Sequence, residues 1–171
     1  MEKYNCQVIC EVGVFAGRNF GRMIEHKPKI AIGVDIWKND EIYEHNDSKL
    51  PQESLDKLYS DLIKRFADKP YVKLIREYSS LAAAHFPDEY FDLIYIDGDH
   101  TYQGTMDDLM AWYPKLKKGK FFTGDDYNRT VYPVEVAYDV KGAVNDFCSK
   151  INLDFYEIPG NEWATGWAAI K

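Results

Sequence analysis

Carboxylates recur in this sequence where the chain should change direction. Asp97-Gly98-Asp99-His100 and Gly124-Asp125-Asp126 each follow a short apolar run, and Asp35 follows another. Three carboxylates gathered in one place (Asp97, Asp125 and Asp126) repel one another unless a cation sits among them. A ligand set made only of oxygen favours a hard ion such as Mg2+ or Ca2+ over zinc. His100 lies three residues after Asp97, and an ordinary histidine pKa of about 6.5 suits a general base beside such an ion. The same residues also make ordinary turns, because Asp-Gly and Gly-Asp-Asp are common turn chemistry. His26, His45 and His85 fall in polar or helix-end contexts and read as surface.

A second set of residues suits a nucleoside-containing ligand. In Glu11-Val12-Gly13-Val14-Phe15-Ala16-Gly17-Arg18-Asn19, Gly13 and Gly17 permit a tight bend and close backbone approach. A helix opening at Gly17 would turn free N–H groups toward negative charge. The pattern Gly13-x-x-x-Gly17 is not the G-x-G-x-x-G dinucleotide fingerprint. Asp35 lies twenty-two residues beyond Gly13, a place from which an acidic side chain accepts both hydroxyl hydrogens of a ribose.

These residues need a scaffold, and hydrophobic periodicity supplies one. Strands are expected at Gln7–Glu11, Lys29–Ile36, Tyr71–Ile75, Phe91–Ile96 and Lys120–Thr123, each followed by a turn or helix. The first helix shows Phe20, Met23 and Ile24 on one face; a second, opening at Pro51, shows Leu55, Leu58, Leu62, Ile63 and Phe66. A short helix is expected at Leu81–His85. Thr101 caps a fourth helix with Tyr102, Met106, Leu109, Met110 and Tyr113 inward; Lys115, Lys117 and Lys118 suit its end and Gly119 stops it. Asp139 caps a fifth carrying Val140, Val144 and Phe147. Ile151–Ile158 and Glu162–Ile170, parted by Pro159-Gly160-Asn161, read as a closing antiparallel hairpin.

Five strand–helix alternations predict an α/β, Rossmann-like, doubly wound and mostly parallel seven-stranded sheet, helices on both faces, closed by that hairpin. Such sheets bind ligands beyond the carboxyl ends of their strands. Both sets of residues lie at those ends, together with Ser79 and Ser80 after the third strand. The 171 residues suit one domain without repeats or linkers. No membrane span or cleavable leader is expected. A net charge of −7 argues against nucleic acid as the main partner. Cys6, Cys10 and Cys148 lack zinc spacing and read as buried thiols of a reducing, cytoplasmic compartment.

Glu11–Gly17, Gly33-Val34-Asp35-Ile36-Trp37, Phe91–His100 and Gly124-Asp125-Asp126-Tyr127 resemble class I S-adenosylmethionine-dependent methyltransferases. The subgroup most resembled is the small-molecule O-methyltransferases, including metal-dependent macrolide-sugar enzymes and, more distantly, catechol-type ones. Val140–Phe147 is similar to the helix after strand five in that subgroup, and the resemblance runs from about residue 7 to the C-terminus. It implies that Glu11, Gly13 and Gly17 frame the methionine part of the cofactor, with Val14 and Phe15 in the same turn and Arg18 and Asn19 near its carboxylate. It further implies Asp35 at the ribose, Ile36 on the adenine face, Ser79 and Ser80 near the adenine, and Asp97 at the cofactor. Asp97, Asp125 and Asp126 would hold Mg2+ or Ca2+, and His100 with Asp97 would serve catalysis.

The expected reaction is methyl transfer to a hydroxyl of a small molecule or sugar, with no nucleic acid or membrane partner. Relatives carry covering helices before the first strand, where about six residues stand here. Lys38–Lys49 or a second subunit of a homo-oligomer would supply that cover. Lys38–Lys49 and Tyr127–Asp139 are the expected specificity segments. Two alternatives stand beside this reading. One is a catalytically degenerate cofactor-binding partner subunit. The other is a haloacid-dehalogenase-type phosphatase, whose hydrophobic-Asp-x-Asp-x-Thr signature Ile94–Thr101 fits and whose last acidic motif Gly124-Asp125-Asp126 imitates; that family carries the signature on its first strand, and here three strands precede it.

Overall fold

A computed structural model describes residues 5–39, 50–129, 138–160 and 165–171. The elements run β1 (Val8–Val12), α1 (Arg18–Ile24), β2 (Ile30–Asp35), α2 (Gln52–Arg65), β3 (Val72–Arg76) and α3 (Ser79–Ala83). They continue with β4 (Phe91–Ile96), α4 (Tyr102–Trp112), β5 (Leu116–Gly124), α5 (Val140–Ile151), β6 (Phe155–Ile158) and β7 (Gly166–Ile170). The sheet order is β3-β2-β1-β4-β5-β7-β6. β1 to β5 are parallel, and β7 enters antiparallel between β5 and β6. The expected α/β architecture with its closing hairpin is the one observed.

Strand alternation divides the core in two. Ile9 and Ala31 face α1 and α2, packing with Phe20, Leu55, Leu62 and Phe66. Cys10, Val12, Ile94 and Phe122 face α3, α4 and α5, packing with Leu109, Trp112, Val144 and Phe147. Strand order reverses between β1 and β4, which are parallel, hydrogen-bonded neighbours: β2 and β3 are added on one side of β1, β4 and β5 on the other. That reversal opens the crevice in which a doubly wound sheet receives its ligand.

Several local expectations are corrected. α4 buries Thr105, Asp108, Leu109 and Trp112, while Tyr102 and Met110 stand exposed. The rotation follows from polar groups satisfied inside: Thr105 Oγ1 donates to the Asp99 carbonyl at 3.0 Å. Lys115 closes a 3₁₀ turn (Tyr113–Lys115), so Lys117, Lys118 and Gly119 lie in β5 rather than at a helix end. There the chain bulges against β4, with Gly119 at φ 70°. Ile63 and Leu81 are exposed at the margins of their helices, and α3 begins at Ser79 rather than Leu81. Ile151 closes α5 instead of opening the hairpin. Thr101 and Asp139 cap α4 and α5 as expected, accepting from the Gly104 and Gly142 N–H groups. The three cysteines are buried and free. His45, residues 40–49 and 130–137 of the two specificity segments, and residues 161–164 of the hairpin lie outside the described residues.

At the opposite end of the sheet, Asp92 pins the start of β1. One carboxylate oxygen accepts from the Gln7 and Val8 N–H groups, both at 2.9 Å, and the other meets Lys117 at 2.9 Å. Burial works against its charge, yet Lys117 and these N–H donors hold the pKa below the usual value. Asp92→Ala is expected to cost roughly 2–3 kcal/mol, read from urea midpoints, because charged hydrogen bonds carry more than neutral ones. A cost under about 0.5 kcal/mol, typical of an inert surface site, would remove the clamp from the account.

Candidate functional site

The carboxyl ends of β1 to β5 frame a crevice of about 1660 Å³. Of the residues singled out in sequence, Glu11, Gly13, Val14, Phe15, Arg18, Asn19, Asp35 and Ile36 line it. So do Ser79, Ser80, Asp97, His100, Asp125 and Asp126. Gly17 does not; it caps α1 in the left-handed region, φ 68°. Among the described residues, the histidines read as surface do not line the crevice, although His85 meets Glu77 at its margin at 2.7 Å.

The first turn is held by backbone contacts on both sides. Gly13 N donates to the Val34 carbonyl at 2.8 Å, and Asp97 N donates to the Val12 carbonyl at 2.7 Å. Gly13 has φ 89°, and a Cβ there would lie 1.8 Å from the Asp97 carbonyl oxygen. Only glycine brings the turn this close to the end of β4. Asp35 braces the far side: its two oxygens accept from the N–H groups of Phe15 and Trp37, each at 2.7 Å. Phe15 and Trp37 have φ 46° and 39°, and these bonds hold that backbone in place. Burial raises the Asp35 pKa, opposed by the N–H groups of Trp37, Phe15, Val14 and Ile36. Its carboxylate lines the crevice, where an acidic side chain can accept hydroxyl hydrogens.

Glu11 is almost fully buried, 1% exposed, beneath α1. Its Oε1 accepts from Asn19 Nδ2 at 3.0 Å, while Oε2 has no hydrogen-bond partner among the described residues. Burial pushes its pKa up to about 8, against the Asn19 hydrogen bond and with help from Asp97 and Asp35. A folded pKa above the unfolded one favours folding most below about 4.5, and that contribution disappears as pH rises through about 8. Stability of the free chain is therefore expected to fall across that window, and Glu11→Gln to flatten the fall. Urea midpoints at the two ends of the window test this; equal slopes in parent and variant would refute it.

At the other end of the crevice Asp97, His100 and Asp126 come together, with one ligand atom of each within 4.8 Å of the others. His100 Nε2 lies 3.3 Å from Asp97 Oδ1 and 3.0 Å from Asp126 Oδ2. Burial disfavours the charged imidazole, but Asp126 and Asp97 outweigh it and raise its pKa to about 10. Arg129 also reaches Asp126 Oδ2, at 2.9 Å. Asp125 turns away from this group: its Oδ1 accepts from the Asp126 N–H at 2.9 Å, and Tyr95 hydrogen-bonds its carboxylate. The donor set thus assembled is two carboxylates and an imidazole, a mixed oxygen and nitrogen set that accommodates a divalent cation.

Among the residues of the crevice wall that the sequence reading did not single out are Arg22, Tyr95 and Asp108. Asp108 is buried below the third-strand turn, and burial raises its pKa to about 7 against a hydrogen bond with Ser79. Ser79 Oγ also accepts from Trp112 Nε1 at 2.7 Å, so the interior of the protein fixes its position. No apolar period marks such a residue; only the depth of Asp108 in α4 reveals it.

Residues 10–127 match the family described as a methyltransferase domain. No curated protein matches the chain in sequence. Among solved structures, a protein assigned as a caffeoyl-CoA O-methyltransferase from Staphylococcus aureus superposes with a TM-score of 0.70 at 11% identity, covering 99% of this chain and 78% of that one. The O-methyltransferase NovP superposes with a TM-score of 0.68 at 15% identity, covering 99% and 75%. Spermidine synthase from Thermotoga maritima superposes at 0.60 and 18% identity, covering 96% and 53%. The chain therefore spans about half the length of the spermidine synthases it matches.

Proposed function

This chain belongs to the methyltransferase-domain family, and from that premise we propose that it transfers a methyl group from S-adenosylmethionine to a hydroxyl oxygen of a small molecule or sugar. The observation that carries the reading is the buried, partnerless Glu11 Oε2 at the end of β1, beside a turn that only glycine can close. An ammonium group would complete that oxygen's hydrogen bonding and favour the ionised form of Glu11, which burial alone disfavours. Asp35 would accept from vicinal hydroxyls, Arg18 and Asn19 would flank a carboxylate, and Ile36, Ser79 and Ser80 would border a flat ring. O-methyl transfer is favoured by two of the superposed structures, although a fold by itself does not fix the acceptor.

When bound, the cofactor supplies an electrophilic methyl on sulfur. The protein's task is then alignment of an oxygen with it and removal of the hydroxyl proton. Asp97, Asp126 and His100 are the groups placed to orient that hydroxyl and receive the proton. Asp97 and Asp126, with Asp125 beside them, would also hold Mg2+ or Ca2+, which would supply acidification of a bound hydroxyl. Calorimetric titration with S-adenosylhomocysteine should give saturable, single-site binding; no binding would overturn the reading. Thorough chelation is expected to depress methyl transfer to any acceptor found, and unchanged turnover would remove the metal from it.

A further inference from the structure

The crevice has a basic wall as well as an acidic end. The chain has five arginines, and three of them are engaged. Arg65 donates to the Gly17 carbonyl, Arg76 bonds Asp56 and the Trp37 carbonyl, and Arg129 bonds Asp126. Arg18 and Arg22 line the crevice and, among the described residues, have no hydrogen bond, ion pair or ring contact. They stand four residues apart on α1, so their Cβ atoms are neighbours about 5–6 Å apart on one face. Among the described residues, no acidic side chain pairs with either guanidinium. The position of Arg22 in the last turn of α1 suits the helix dipole, but does not account for two bare guanidiniums facing one cavity.

We propose that Arg22, with Arg18 beside it, binds an anionic group of the methyl acceptor, a carboxylate or a phosphate. The inference rests on the cofactor reading above: the cofactor brings one carboxylate, which Arg18 meets near the first turn, leaving Arg22 to a second anion. Guanidinium recognises both groups through paired N–H donors. The crevice volume of about 1660 Å³ exceeds the roughly 300–1,000 Å³ of an ordinary small-molecule site, leaving room for an acceptor alongside the cofactor. The acceptor would then be bipolar, with its anion on α1 and its hydroxyl toward Asp97, His100 and Asp126.

The test is an NMR titration of the arginine Nε–Hε signals with sodium acetate or inorganic phosphate, against sodium chloride at matched ionic strength. It is run on the free chain and on the chain loaded with S-adenosylhomocysteine. Saturable movement of the Arg22 signal with acetate or phosphate is expected, weakened at least about fivefold by Arg22→Gln when followed on Arg18. Lys150→Gln, on the exposed end of α5, should change nothing. The stronger of the two anions identifies carboxylate or phosphate. Movement that chloride reproduces, or binding unaltered by Arg22→Gln, would overturn the inference. Failure of S-adenosylhomocysteine to bind would instead strike the cofactor reading, and the free-chain titration would still decide the anion site.

Discussion

Gly13→Ala is expected to weaken S-adenosylhomocysteine binding by about 100-fold or more, the loss of roughly 3 kcal/mol. The added carbon would stand 1.8 Å from the Asp97 carbonyl oxygen, and its other close neighbours, the Asp97 carbonyl carbon and Gly98 N, are backbone as well. Backbone cannot swing aside as a side-chain tip can. The turn must therefore part from β4, against the bonds joining Gly13 to Val34 and Asp97 to Val12. That movement separates Glu11 and Asp35 from Asp97. The control is Gly119→Ala, also at positive φ (70°) but with nothing within 4 Å of its Cβ; it bears only the left-handed penalty of about 1–2 kcal/mol. Calorimetry reports binding, and circular dichroism melting reports folding. A Gly13→Ala chain that melts like Gly119→Ala and binds within about threefold of the parent would show that the close approach is unimportant to the site.

Residues that lie at strand ends were legible in the sequence because two regularities converge on them: strand periodicity locates the ends, and polar residues gather there. Glu11, Gly13, Asp35 and Asp97 were found in this way, and all line one crevice. Asp125 and Asp126 were read together as ligands, and which of the two meets His100 was not legible. It depends on one backbone angle: Asp126 takes φ 53°, which folds Asp125 back onto the Asp126 N–H and leaves Asp126 to meet His100. Asp108 and Thr105 were missed for a different reason. Apolar periodicity assigns polar residues outward, whereas these two are buried because Ser79 and the Asp99 carbonyl satisfy them. β5 was read short because Lys117 and Lys118 hide its first half, where the bulge at Gly119 interrupts alternation.

His100→Ala should cut turnover roughly 10²–10⁴-fold, the range of a lost general base, with S-adenosylhomocysteine affinity held within about twofold. The ring contacts Asp97, Asp126 and Tyr138 rather than Glu11 or Asp35, so its removal touches the acceptor end of the crevice. Its raised pKa, about 10, sharpens the question of role. At neutral pH the free chain holds the ring protonated, balancing Asp97 and Asp126, and it can accept a second proton only after giving up the first. Charge balance and proton transfer therefore make different demands on one side chain, and two substitutions separate them. His100→Lys keeps a positive charge without a titrating ring; if balance is the whole role, turnover survives in it. If proton transfer matters, His100→Lys is as slow as His100→Ala, and imidazole added to the alanine variant restores part of the rate through the vacated space. An alanine variant as fast as the parent would leave Asp97 and Asp126 to orient the hydroxyl by themselves.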